Sequence, residues 1–225
     1  MVTDESQSSS FGEGQALVNQ CRKLCEDLLA NLAEFPKAWE IINSSAIGEF
    51  GSLERAPAIA AYCGLFGIHC QISLLAELML VALLADIGMI KLEASITKKI
   101  RQELALDDRE RKAFERLPEM SLNTILDRKF SIDEKSRGIL LSTYEHADGS
   151  GFPKGITELK LGAGAQMVRL ARDFDRATIL RLGKARQDPK IVMRDYVSQA
   201  QPGKIFTRDF IHLLTKNLLK TDIFQ

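Results

Sequence analysis

The sequence is short of the residues that bind metals and of the charge that binds polyanions. Only 3 of its 225 residues are histidine: His69, His146 and His212. So few imidazoles leave little material for a histidine-built metal centre. The chain carries 30 basic and 30 acidic residues, so its formal net charge is zero. That balance excludes the basic excess by which a protein binds nucleic acid or an anionic membrane by default. Four cysteines, Cys21, Cys25, Cys63 and Cys70, are too sparse for a disulfide scaffold and read as small buried hydrophobes. No apolar run is clean enough to span a bilayer. The longest, residues 72–90, contains Glu77 and Asp86 and reads as a buried core helix. No secretory signal opens the chain, and cytoplasm is the expected location.

What is present is a helical period. Hydrophobic residues make up 45% of the chain, enough for one large domain with a small helical appendage. Residues 1–14 are polar and rich in serine and glycine, the composition of a disordered tail. Leu17, Cys21, Leu24, Leu28 and Leu32 form one apolar stripe, and Pro36 ends it. Residues 15–47 therefore read as an N-terminal helical extension, with Phe35 and Trp39 as core residues, and 48–225 as the main domain. The extension offers a homodimer surface or a cover for the domain behind it. Helices are expected over 53–68, 71–87, 118–128, 132–145, 163–180, 189–199 and 207–220. Asp107 with Glu110 has capping-box spacing, Ser131 with Glu134 fits the box fully, and Thr207 caps the last helix. No segment shows sustained strand alternation. The fold class is all-α, a compact multi-helix bundle.

Two stretches carry more than periodicity. One runs from Ala82 through Ala85, Asp86, Ile87 and Gly88 to Ile90. The other runs from Tyr144 through Glu145, His146, Asp148, Gly149, Gly151, Phe152, Pro153 and Lys154 to Ile156. In the second, the glycines permit positive φ, Pro153 stiffens the turn, and Asp148 can hold backbone N–H groups. From composition it is equally a stiff interhelical loop or a recognition loop.

These stretches resemble the HD-GYP family of cyclic di-GMP phosphodiesterases. The first resembles the family's A-L-L-H-D-I-G-K helix, and the second its H-H-E-x-x-D-G-S-G-Y-P-x-G-L signature. Arg116-Leu117-Pro118-Glu119 is similar to R-H-P-E, and Leu170-Ala171-Arg172-Asp173-Phe174-Asp175 to V-A-D-A-F-D. The resemblance implies a helical domain whose active members hydrolyse cyclic di-GMP on metal ions held by histidines and aspartates.

Residue by residue, the implied ligand set is nearly gone. The leading histidine falls near Gly51 or Ser52. The H-D pair is Ala85 and Asp86. The histidine of R-H-P-E is Leu117, the paired histidines are Thr143 and Tyr144, and the aspartate of V-A-D is Arg172. The phosphate-holding lysine after I-G is Met89. Ala85, Asp86, Leu117, Thr143, Tyr144 and Arg172 are therefore read as vestigial metal positions, with no metal, no cofactor and no catalysis expected. Asp86 then needs a partner, and an Asp86–Arg172 salt bridge joined by Tyr144 is the expected replacement. The loop of Asp148, Gly149, Gly151, Phe152, Pro153 and Lys154 is the expected contact for a protein partner, with the resemblance pointing to a GGDEF-type diguanylate cyclase or another signalling protein. The alternative is a non-hydrolysing sensor that binds cyclic di-GMP or another nucleotide weakly in the old pocket.

Overall fold

The structure, a computed structural model, describes residues 23, 25–26, 55–127, 132–179, 187–199 and 202–219. Nine α-helices are described: α1 (Ala56–His69), α2 (Leu75–Leu84), α3 (Ala94–Arg101), α4 (Asp108–Glu115), α5 (Leu117–Asp127), α6 (Glu134–Leu141), α7 (Ala163–Thr178), α8 (Pro189–Gln199) and α9 (Arg208–Asn217). Short 3-10 turns cover Ile87–Lys91 and Glu158–Lys160. Among the described residues there is no strand, only an isolated bridge between Asp148 and Thr157. The all-α expectation holds.

The core forms because α1 and α2 are apolar nearly all round, so both must be enclosed. α1 packs against α2 and α7, and α2 also touches α6. At the centre, the rings of Tyr62 and Phe66 each meet Phe174 of α7 edge-on at 5.0 Å, a favoured aromatic geometry. Cys25, Cys63 and Cys70 are buried there. Burial pushes the Cys63 and Cys70 thiols up to about 12, so they behave as hydrophobes rather than nucleophiles. Lys23, Cys25 and Glu26 are helical. The rest of the expected extension, the tail, Cys21, Phe35 and Trp39 lie outside the described residues.

Several boundaries differ from the sequence expectation for local reasons. α2 starts at Leu75, not residue 71, because Gln71 and Leu74 adopt left-handed backbone and break the helix. α6 ends at Leu141, not 145, because residues 142–146 unwind into the loop. The cap of α6 is Asp133, which accepts from Ser136 N at 2.8 Å. Ser131, expected as the cap, lies outside the described residues. Asp107 and Glu110 make the complete reciprocal box at the start of α4, and Thr207 Oγ1 caps α9 through Phe210 N. Helix α3 was not anticipated, although Ile96 and Ile100, one turn apart, are both buried.

Candidate functional site

The site forms where the end of α2, the start of α5, the residues after α6 and the middle of α7 converge. The turn after α2 is bolted to α5. Ser121 Oγ donates to Ala85 O at 2.7 Å and accepts from Gly88 N at 2.9 Å. A Cβ at Gly88 would come within 2.5 Å of Ser121 N, so only glycine allows this approach. The bolt fixes Asp86 at the head of the 3-10 turn.

Asp86 faces Tyr144 and Arg172. Tyr144 Oη donates to Asp86 Oδ1 at 2.9 Å, and Arg172 Nη2 donates to the same oxygen at 3.1 Å. The Arg172 guanidinium lies 4.1 Å over the Tyr144 ring, within cation–π range. Burial, with the Asp86 charge adding, pushes the Tyr144 hydroxyl well above its ordinary value, against the pull of Arg172. Tyr144 is thus a neutral donor. The Arg172 side chain is 4% exposed, and its Nε and Nη1 have no hydrogen-bond partner among the described residues.

The neighbours are apolar. Met89, Leu117 and Tyr144 belong to one buried cluster with Ile96 and Ile100, and Phe114 and Phe152 pack on it. Phe152 stacks on Tyr144 at 4.8 Å, and Phe114 meets both rings edge-on at 5.6 Å. Phe152 is partly buried and packs on this cluster. Thr143 does not join the group: its hydroxyl donates to Leu140 O at 3.0 Å. Ala85 is buried and contributes its carbonyl, not its side chain. Gly51 and Ser52 lie outside the described residues.

The loop is held by residues that sequence reasoning passed over. Glu145 is buried, and its two carboxylate oxygens accept from Lys154 N at 2.7 Å and Ile156 N at 3.0 Å. A carboxylate directly before a run of unpaired loop N–H groups was the available signal. Asp148 Oδ1 accepts from Ser150 N at 2.9 Å, as expected, and its carboxyl is lowered chiefly by the Ser150 hydroxyl. Gly149 has φ +78°, and a Cβ at Gly151 would lie 2.3 Å from His146 N. Lys154, Asp148 and Ser150 face solvent.

A second polar chain ties the loop to α7 and α8. His146 Nδ1 lies 2.8 Å from Ser150 Oγ, and His146 Nε2 lies 3.1 Å from Arg169 Nη1. Arginine can only donate, so Nε2 is the acceptor and Nδ1 carries the proton to Ser150. Arg169 pairs with Asp173 at 2.7 Å, and Tyr196 Oη also donates to Asp173. Asp175 is held by Arg55 in a buried pair. Neither aspartate replaces a ligand at Asp86.

The HD domain family profile matches residues 23–201 of the chain. The chain belongs to the HD domain family. Among solved structures, this HD domain is similar to Bd1817, a HDG"Y"P protein from Bdellovibrio bacteriovorus, with 16% identity and a TM-score of 0.67. That match covers 91% of this chain and 64% of the other, so the chain spans less than two thirds of its neighbour's length. At that identity the likeness is one of fold. No curated protein matches the chain.

The metal ions that the HD-GYP resemblance implies do not fit the side chains gathered here. Of Ala85, Asp86, Leu117, Thr143, Tyr144 and Arg172, only Asp86 is a common ligand type for divalent cations. One of its oxygens is occupied twice, and a permanent positive charge sits against it. Among the described residues, no group of three or more histidine, cysteine, aspartate or glutamate side chains could hold a metal. No described helix is long and apolar enough to cross a membrane.

Proposed function

We propose that this HD domain is an HD-GYP-type pseudoenzyme: a protein-interaction module of bacterial cyclic di-GMP-type signalling that binds and does not cut. The observation that carries the reading is the Asp86–Arg172–Tyr144 cluster. Arg172 supplies the positive charge that metal ions would otherwise supply, so the one surviving carboxylate is paired without them. Met89, Leu117 and Phe152 fill the remaining volume with apolar groups. The loop keeps its shape because Glu145, Asp148 and the glycines hold it from within. That leaves Lys154, Asp148, Ser150 and the half-covered Pro153 as its outward face. A GGDEF-type diguanylate cyclase is the partner class the resemblance suggests.

Metal content and cyclic di-GMP hydrolysis test the first half of this reading. Capture of a purified GGDEF domain, with Lys154→Glu as control, tests the second. Retained capture by the variant would remove the loop from the contact.

A second reading, a non-hydrolysing nucleotide sensor, draws on Arg172. Two of its donors, Nε and Nη1, have no partner among the described residues and suit a phosphate oxygen. Both atoms are closed off from solvent in this conformation, so the pocket would have to open first. A rise in melting temperature with added cyclic di-GMP separates the sensor from the interaction module, because a ligand of the native state must stabilise it.

A further inference from the structure

A cleft of about 490 Å3 lies between the α1–α2 turn, α6 and the start of α7. That volume is in the range of ligand-holding clefts, roughly 300–1,000 Å3. Its floor is tightly packed: a Cβ on Gly164 would come within 2.9 Å of Leu78 and 3.2 Å of Ile139. Among the described residues, Lys135 and Lys160 are the only charged side chains lining it, and both are exposed.

Three features of the cleft are not required by packing among the described residues. Leu74 is held at φ +60°, a region L-residues avoid, yet its side chain is 44% exposed at the rim. Strain of this kind persists only where the surroundings enforce it, and here it keeps a large apolar group facing outward. Gly138 sits inside α6, where glycine is unfavourable. A Cβ at Gly138, or at Gly162 where α7 opens, would meet no described residue within 4 Å. Packing among the described residues therefore does not call for glycine at 138, whereas close approach by an outside group does; Gly162 is the N-cap of α7, a position that favours glycine. The charge is also one-sided: two lysines line the cleft, and among the described residues no lining carboxylate answers them. The first turn of α7 adds to that sign, having neither a side-chain cap nor an acidic residue.

We infer that this cleft docks a segment of a partner protein that combines apolar side chains with a carboxylate. The apolar groups would lie on Leu74 and Ile139 across the bare backbone at Gly138. The carboxylate would lie between Lys135, Lys160 and the head of α7. A nucleotide would find the lysines but no aromatic ring for its base, since none of the described residues lining the cleft is aromatic. This assignment shares with the proposed function the idea that the chain binds a protein. It needs neither the loop around Lys154 nor the absence of metal.

The test is selection of a random peptide display library on the immobilised full-length chain. Binding of the enriched peptides is then measured to the wild type, to Gly138→Trp and to the double charge reversal Lys135→Glu with Lys160→Glu. Position 138 faces open space and both lysines are exposed, so these variants are expected to fold, as checked by circular dichroism. The charge reversal stands alone if the tryptophan variant does not fold. The expected peptides pair leucine, isoleucine or phenylalanine with aspartate or glutamate. Their affinity should fall about tenfold or more in each variant, and should weaken as salt rises. No enrichment, enrichment of basic or uncharged peptides, or binding indifferent to the variants would overturn the assignment. So would sedimentation showing that the wild type self-associates and Gly138→Trp does not, since the occupant would then be a second copy. Metal content and turnover decide the earlier reading independently of all these outcomes.

Discussion

Arg172 and Tyr144 converge on one atom, Asp86 Oδ1, at 3.1 and 2.9 Å, with the guanidinium stacked 4.1 Å over the ring. The relationship has an energetic consequence. Removing one partner of a buried pair costs about 3–5 kcal/mol, because the other charge is left uncompensated. Asp86 is 17% exposed at its side chain, so water screens part of that cost. Arg172→Met and Asp86→Asn should each destabilise the fold by about 2–3 kcal/mol. The double variant should lose much less than the sum, and a urea-denaturation double-mutant cycle reads the coupling directly. Additive losses would mean the pair contributes nothing specific.

Glu145 should matter more to loop order than any residue on the loop's surface. Glu145→Ala leaves the N–H groups of Lys154 and Ile156 without their acceptor. Two bonds to a charged acceptor put the expected loss at roughly 3 kcal/mol. Amide hydrogen exchange at those two residues should accelerate well beyond that in the α1–α7 core. Unchanged exchange would show that the loop does not depend on Glu145.

His146 gives the fold a pH dependence. Burial, and then the Arg169 charge, lower its pKa below the ordinary 6.5, against the opposing carboxylates of Asp148, Asp173 and Glu145. A depressed histidine is protonated more readily in the unfolded chain. Its contribution is therefore complete above the unfolded value and is lost as pH falls through the folded one. His69, also lowered by burial, acts in the same direction. The melting temperature should fall from pH 7 to pH 5.5, and His146→Gln should flatten part of that fall. A slope unchanged in the variant would remove His146 from the account.

Gly138→Ala should stabilise the protein by about 0.5–1 kcal/mol, since it sits inside α6 with open space at its Cβ position. Thermal melting checks this, and a loss of stability would show that the site needs glycine for folding.

Much of this fold was legible in the sequence because its signals are local. The apolar runs of α1 and α2, the Asp107–Glu110 box and Thr207 each stand within one turn of the structure they dictate. Helix ends set by left-handed backbone at Gln71 and Leu74 were not legible, because neither residue type favours that conformation. At the site, the meeting of Asp86 with Arg172 followed from aligning two motifs and from the cost of an unpaired buried charge. The packing of Phe152 on Phe114 did not follow, since Phe114 comes from α4, outside every motif. Thr143 bonding back to Leu140, and Arg169 holding His146, likewise depend on side-chain direction that spacing does not specify.

The central claim is that an arginine has taken the place of metal at Asp86. The most direct measurement is the metal content of the full chain purified without chelator, together with cyclic di-GMP hydrolysis under added manganese and iron. The account predicts near-zero metal and no turnover. Stoichiometric metal with turnover would contradict it, and would mean that ligands other than Ala85, Leu117, Thr143, Tyr144 and Arg172 complete a working site.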